Sequence, residues 1–507
     1  MKSTYLIYHS WRVRRVSINL ILTYALLFLS SLIISAFKSK YSIHLSTLLI
    51  FSSLIVNAIP LAGILAAGLA ELESKLLTDF LIYAMCEVIL IVGLISTLYS
   101  IKYFDSELNG RFRLYFAIIP ILLATLIGLV SSSNLIYMLF FLEASTALSA
   151  ILVLYGERRG RAVVSVIVYL AMSILESILI IIGVCLLING YGLHFDLLDV
   201  YRLSRYGIYD WNFKLASYLI LLGFGIKAGT SPLALLWLPL VYSEAPSPVS
   251  AILSGVATES AYIPILKYVY SLSPMIPMDV GAFITLSGLI NIVLGGLGMI
   301  IDRDIKRVIA FSSILSMGFL GSSIGLSVSM SGYEAYLCIF GSALYLFAHS
   351  IAKALLFLSA GLFVKAFHER NWLKLSMATR SMPITSLMII LGGISVSGLL
   401  PFFSGYYGKH MVMESIIYSG NQFYGIPSSI YEGLIYLSGI IVLCVFLGIV
   451  VASARGSGVF REKPDLMFTS IILLALISII IGIMYHGYLA YGVSLHNDVM
   501  FKFIDLW

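Results

Sequence analysis

Apolar runs of membrane-spanning length dominate this chain and decide what it can fold into. They fall at about 17–36, 43–69, 79–101, 113–131, 134–155, 162–189, 215–240, 248–270, 280–301, 306–329, 335–364, 384–419, 431–453 and 467–490. A helix needs about 20 apolar residues to cross the hydrocarbon core. In lipid, only helices and closed barrels satisfy every backbone polar group internally. Runs of this length suit helices, so the expected fold is an all-α integral membrane protein with about 14 transmembrane helices. Composition agrees: 11% of the 507 residues are charged, against about 25% in soluble domains. No polar run is long enough for a separate soluble domain. The net charge of +6 sits in short loops, which speaks for membrane orientation and against a nucleic-acid partner. Cys86, Cys185, Cys338 and Cys444 lie in apolar runs without CxxC spacing and read as small buried hydrophobes. The basic start at Arg12, Arg14 and Arg15 resembles a signal peptide, but the run after it is too long for one and reads as the first span.

Orientation follows from where lysine and arginine collect. The loops after runs 1, 3, 5, 9, 11 and 13 carry most of them, among them Arg158, Arg303, Lys306, Arg307 and Arg370. That side is expected to be cytoplasmic, with both termini outside. The N-terminal tail, with Lys2, Arg12, Arg14 and Arg15, disagrees with this assignment. The segment 191–213 is polar and aromatic and reads as a surface loop or short amphipathic helix.

The most informative run is 214–255, KLASYLILLGFGIKAGTSPLALLWLPLVYSEAPSPVSAILSG. Lys227 stands about where the bilayer midplane should be, and Gly229, Thr230, Ser231 and Pro232 follow it. Proline removes a backbone donor and clashes with the preceding turn, so the helix must break there. Broken helices at membrane depth are tolerated only where the freed backbone is buried in protein or faces water. A lysine snorkelling to the interface is the plain alternative, but apolar sequence lies on both sides of Lys227. The run 384–419 contains Gly398 and Pro401 and is read as broken too, with Lys409 after the break. Two blocks of five helices, 4–8 and 9–13, thus each hold a discontinuous helix in fourth position, helices 7 and 12. Paired interruptions of this kind point to inverted repeats. The expected divisions are 1–112 for the first three helices, 113–270 and 280–453 for the repeats, and 467–507 for the last helix and tail.

Further ionisable residues lie inside apolar runs: Glu87, Glu143, Glu176, Glu259, and the pair His349 and Lys353, four apart and so on one helix face. Each charge at a helix centre costs roughly 2.5–3.5 kcal/mol on insertion scales, so several in one chain imply mutual pairing or water. A glutamate–lysine pair that opens and closes can make the lysine hold or release a proton. A static structural ion pair is the competing account of each, and for Glu87 and Glu176 a peripheral role carries equal weight. Glu244 and Lys267 complete the secondary candidates.

These residues carry a recognisable pattern. NLIYMLFFLE ending at Glu143, KAGTSPLALLWLPLVYSEAPSPVSAILSG, DIKRVIAFSSILSMG from Asp304, HSIAKALLFLSAG and SGLLPFFSGYYGK resemble, in order, the antiporter-like membrane subunits. That family is shared by respiratory complex I (its L, M and N subunits), Mrp antiporters and membrane-bound hydrogenases. The resemblance covers roughly residues 79–450. It implies that Glu143 pairs with Lys227, that Lys353 is the central lysine with His349 beside it, and that Lys409 is the terminal residue of a hydrated charged axis. Three positions depart from the pattern. Glu259 stands where members usually have a lysine, with Lys267 in place of an arginine, and Ser316 stands where a histidine is often found. The chain ends soon after the fourteenth run, which is closer in plan to M-, N- or Mrp D-type members.

The function implied is a subunit moving H+, or exchanging Na+ for H+, within a larger membrane complex in the cell membrane. No motif for nucleotide, flavin, iron–sulfur cluster or metal is evident, so no cofactor is expected in this chain. Redox chemistry or an ion gradient in partner subunits would then supply the energy, and lipid surrounds the bundle. A stand-alone cation/proton antiporter shares the same fold logic. A haem- or quinone-binding subunit is disfavoured, because haem between helices wants paired intramembrane histidines and His349 alone lies deep in a run, with the depth of His44 and His410 left open.

Overall fold

The computed structural model describes residues 18–36, 41–66, 74–104, 110–192, 195–206, 210–272, 278–375, 378–420, 422–454 and 462–492. The basic N-terminal tail lies outside these residues. Thirteen helices among the described residues are long and apolar enough to cross a membrane. The remaining run, 384–419, is divided into two shorter helices. In order the helices are α1 (Ile18–Ala36), α2 (Tyr41–Ala66), α3 (Ser74–Tyr103), α4 (Gly110–Ser131), α5 (Leu135–Val153) and α6 (Arg159–Tyr191). The short α7 (Leu197–Arg205) covers the polar segment, with Asp196 as its N-cap. Then follow α8 (Trp211–Ala228), α9 (Leu238–Glu244), α10 (Ser247–Ser271), α11 (Met278–Ile301), α12 (Ile305–Ser327) and α13 (Gly332–Phe367). The chain continues with α14 (Pro383–Ser397), α15 (Ser404–Ser419), a two-residue hairpin pairing Gln422–Phe423 with Ile426–Pro427, α16 (Ser428–Ser453) and α17 (Leu466–Gly492).

Burial sorts these helices. α10, α12 and α13 are enclosed almost completely, whereas α1, α2 and α6 keep most of their apolar surface outward. A helix that is apolar all round and also buried belongs at the centre of a bundle, and that is where the ionisable residues of α10 and α13 lie. α10 itself is not uniform, because a π turn spans Leu253–Ala257. Such single-turn widenings are frequent at functional sites.

The repeat expected from the interruptions has a backbone signature. Asn134 caps α5 by accepting from Ile136 and Tyr137, and Asp304 caps α12 by accepting from Lys306 and Arg307. Each cap residue also forms an isolated antiparallel bridge to the loop two helices on, Asn134 to Asp196 and Asp304 to Asn371. The flanking hydrogen bonds match as well. Leu135 N donates to Phe195 O at 2.8 Å, and Ile305 N donates to Arg370 O at 2.9 Å. Leu197 N donates to Ser133 O, and Trp372 N donates to Arg303 O. Five spans separate the two caps, so they fall on opposite membrane faces, as an inverted repeat requires.

Both interruptions end on a left-handed glycine. α8 stops at Gly229 (φ 76°) and α14 at Gly398 (φ 62°), a conformation that costs glycine little because it lacks a Cβ. The freed carbonyls are taken up inside the protein. Around the first break the Trp237 indole N–H donates to Ile226 O at 3.2 Å, Asn291 to Gly229 O at 2.7 Å and Ser287 to Thr230 O at 3.1 Å. At the second break the donors are Lys409, to Ser397 O at 3.0 Å, and Tyr345, to Val396 O at 2.6 Å. α15 reaches α13 closely because Gly408 faces Gly341: a Cβ on Gly341 would stand 2.8 Å from Gly408 O. That approach sets the position of the neighbouring Lys409.

Candidate functional site

Three lysines and three glutamates from both repeats lie in or beside the bundle centre, and the helices fix which of them meet. Lys227, at the last turn of α8, is 2% exposed. Its Nζ donates to Thr146 on α5 and to the Tyr169 hydroxyl on α6 at 2.8 Å. Its carboxylate partner is Glu176 on α6, with Nζ 3.8 Å from Oε1. This corrects the expected pairing with Glu143. The Glu143 carboxylate instead accepts from Ser173 at 2.8 Å and Ser177 at 2.5 Å, also on α6, and is only half-buried. Glu176, for which the sequence leaves a peripheral role open, is fully enclosed and is the carboxylate of the pair. Tyr169, Ser173 and Glu176 are spaced by four and three residues, one helix face, and that spacing was the available signal.

From Lys227 the side chains continue through aromatic rings. The Tyr169 ring lies 5.1 Å from Trp237, and Trp237 meets Tyr242 on α9 edge-on at 6.0 Å. The Tyr242 hydroxyl is 3.2 Å from Thr258 Oγ1, which is 2.8 Å from Glu259 Oε2. On the other side, Glu259 Oε1 is 3.4 Å from His349 Nε2 on α13. Lys353, one turn on, donates to Ile309 O at 3.1 Å and to Ser312 Oγ. Tyr345, one turn before His349, reaches Ser316 Oγ at 3.1 Å, so Ser316 serves as its hydroxyl partner. Lys409 ends the series. It donates to Ser438 Oγ at 3.0 Å and lies 5.5 Å from the centre of the Phe319 ring. Glu259, His349 and Lys353 are all 0% exposed, and Lys409 is 4% exposed. No carboxylate among the described residues forms an ion pair with Lys409. Its charge faces the C-terminal end of α14, whose carbonyl dipoles favour a cation.

Three secondary candidates lie elsewhere. Lys267 donates to Val130 O at 2.5 Å and Ser132 O at 2.7 Å, closing the C-terminal end of α4. Glu87 on α3 accepts from Asn57 on α2 at 2.8 Å, in the first three helices. Glu244, at the end of α9, belongs to a buried charge cluster on one membrane face. Its Oε1 is 3.5 Å from Arg370 Nη1 and 3.9 Å from Arg158 Nη1. Arg370 also donates to Ser243 O at 2.8 Å and is 4.0 Å from Asp304, while Lys306 donates to Ala245 O. Lys306 was expected in a loop; it is 2% exposed, inside the first turn of α12. These residues follow spans 5, 7, 9 and 11, so their meeting supports the odd-numbered loops sharing a face. Lys214 and Asp279, paired at 2.8 Å, follow spans 6 and 8 on the other face. Arg370→Ala would leave Glu244 enclosed with Arg158 as its remaining ion-pair partner among the described residues, and with Lys306 nearby. Thermal unfolding in detergent should reveal a loss near the low end of the roughly 3–5 kcal/mol seen when a buried ion pair loses one partner. An unchanged midpoint would make the cluster energetically idle.

Residues 132–434 match the family described as NADH:quinone oxidoreductase/Mrp antiporter, transmembrane. The chain belongs to that family. Hydrogenase-4 component B of Escherichia coli (strain K12) is 27% identical over 423 residues, 80% of this chain and 62% of that protein. NADH-quinone oxidoreductase subunit L of Neisseria meningitidis (strain Z2491) is 25% identical over 388 residues, 73% of this chain and 55% of that protein. The chain thus spans little more than half the length of these relatives. Among solved structures, a chain of the membrane-bound sulfane sulfur reductase, an archaeal respiratory membrane complex, superposes with a TM-score of 0.78 at 16% identity, covering 96% of this chain and 99% of its own. A chain of the Mrp complex from Dietzia sp. DQ12-45-1b gives a TM-score of 0.76 at 17% identity, covering 97% and 98%. The two likenesses establish the fold. This family member is therefore a multi-pass membrane protein with the antiporter-subunit architecture.

Proposed function

We propose that this chain carries protons, or exchanges Na+ for H+, along the buried series Glu143, Glu176, Lys227, Glu259, His349, Lys353 and Lys409. The observation that supports this most is the burial of Lys227, Glu176, Glu259, His349, Lys353 and Lys409 on helices of both repeats, with the enclosed helices α10 and α13 at the centre of the series. Intramembrane ionisable residues are expensive and as a rule functional. The Lys227–Glu176 pair would set the first lysine's proton affinity by opening and closing. His349 with Glu259 would hold the proton at the centre, and Lys409 would release or accept it at the far end.

The relatives named above include subunits of multisubunit membrane assemblies. We infer that this chain works beside other membrane subunits in the plasma membrane, with energy supplied from them by redox chemistry or an ion gradient, and with both termini on the outer side. The test is to purify the protein with its native partners, identify them, and reconstitute the assembly in liposomes holding a pH-sensitive dye and, separately, a Na+ indicator. Acidification or alkalinisation that follows the energy source supports the proposal. A chain that purifies alone and exchanges cations for protons by itself would favour a stand-alone antiporter. Absence of any coupled ion movement in an active assembly would rule the proposed function out.

A further inference from the structure

The side chains between Lys227 and Glu259 are neutral and lay outside the charged set expected from sequence. Trp237 is pinned by its indole N–H to Ile226 O and has no proton to relay. Tyr242, under the edge of Trp237, is 1% exposed, and Thr258 is 2% exposed. The π turn Leu253–Ala257 ends directly before Thr258. By widening the helix there it presents Leu253 O to both hydroxyls, each 3.1 Å away. With both hydroxyls gathered on one carbonyl, the contacts Tyr242 Oη–Thr258 Oγ1 at 3.2 Å and Thr258 Oγ1–Glu259 Oε2 at 2.8 Å run in line. Glu259 uses its two oxygens on opposite sides. Oε2 meets the hydroxyls, while Oε1, which has no hydrogen-bond partner, faces His349 Nε2 across 3.4 Å.

We propose that Tyr242 and Thr258 form a hydroxyl relay that carries protons between the Lys227 side of the first repeat and Glu259, which passes them to His349 of the second. The inference rests on the proposed transport along this axis. In one passage, a water molecule on the Lys227 side gives a proton to the Tyr242 oxygen while taking one from the Lys227 ammonium. The original Tyr242 proton moves to Thr258 Oγ1, and the original Thr258 proton moves to the Glu259 carboxylate at Oε2. No hydroxyl is left charged, and proton number and charge balance: Lys227 ends neutral and Glu259 protonated. The relay resets when both hydroxyls rotate, with Leu253 O as the acceptor that holds each in the intermediate orientation.

The purely structural account is that both hydroxyls serve only to satisfy Leu253 O. The two accounts separate in the full assembly, reconstituted with a pH-sensitive dye. Tyr242→Phe and Thr258→Val each keep the ring or the branched shape and remove the hydroxyl. Each should slow proton movement by about a hundredfold, the low end of what a positioned proton-transfer group contributes. Thr258→Ser, which restores only the hydroxyl, should recover most of the rate. Full-speed transport in Tyr242→Phe and Thr258→Val would overturn the relay, as would a Thr258→Ser protein as slow as Thr258→Val. Glu259→Gln is the control. If it abolishes transport while the hydroxyl variants run normally, only the relay fails. If it leaves transport intact, the axis itself is wrong and the relay falls with it.

Discussion

Replacing Lys227 with alanine is expected to slow ion movement by about a hundredfold or more, the contribution of a lost proton-transfer group, while the protein still inserts and assembles. The ammonium is enclosed by α5, α6 and α8 and meets Thr146, Tyr169 and Glu176, so no other described cation stands ready to take its place. The two neighbouring carboxylates should behave differently from each other. Glu176→Gln leaves Lys227 as a buried charge without an ion-pair partner, a loss of roughly 3–5 kcal/mol, and should lower thermal stability as well as transport. Glu143→Gln leaves the Lys227–Glu176 pair intact, and the amide oxygen can still accept from Ser173 and Ser177. It should abolish transport with little change in stability. Unfolding midpoints and dye-monitored flux on the same preparations give both readouts. Equal stability losses in the two variants would mean that Lys227 shares its charge between the carboxylates and that the 3.8 Å pair is not its main support.

Much of this arrangement was legible because lipid leaves a chain few options. Apolar length placed the spans, and Pro232 with Gly229, and Pro401 with Gly398, placed the two interruptions, since nothing else in a membrane helix forces the backbone open so reliably. The amphipathic α7 was visible as a polar interlude for the same reason. Partner choice was harder to read, because it depends on how two helices are rotated against each other. Glu143 and Glu176 both belong to apolar runs near Lys227. Only the packed face of α6 decides that Glu176 faces the lysine and that Ser173 and Ser177 turn to Glu143. Tyr242, Trp237 and Thr258 are neutral, so nothing sets them apart within apolar runs, and the π turn beside Thr258 leaves no simple mark in sequence. Lys306 and Arg370 were counted as loop charges that fix orientation. The structure buries both against carbonyls and carboxylates, a use of basic residues that loop counting cannot see.

The second large effect is expected at Lys409, where the two breaks part company. At the first, neutral donors, Trp237, Asn291 and Ser287, satisfy the opened backbone, and the lysine is left to face a carboxylate. At the second, Lys409 itself takes Ser397 O at 3.0 Å, so one group both closes the helix end and carries the charge. Lys409→Gln separates these duties. The amide N–H can reach the same carbonyl and spare the roughly 1–3 kcal/mol that an unsatisfied buried acceptor costs, but it has no titratable proton. Stability should therefore stay near that of the parent while transport falls by about a hundredfold. Lys409→Met, which removes the donor too, should lose both. If Lys409→Gln transports at the parental rate, Lys409 is a helix cap and nothing more, and the proton must leave the series before α15, at Lys353 or His349.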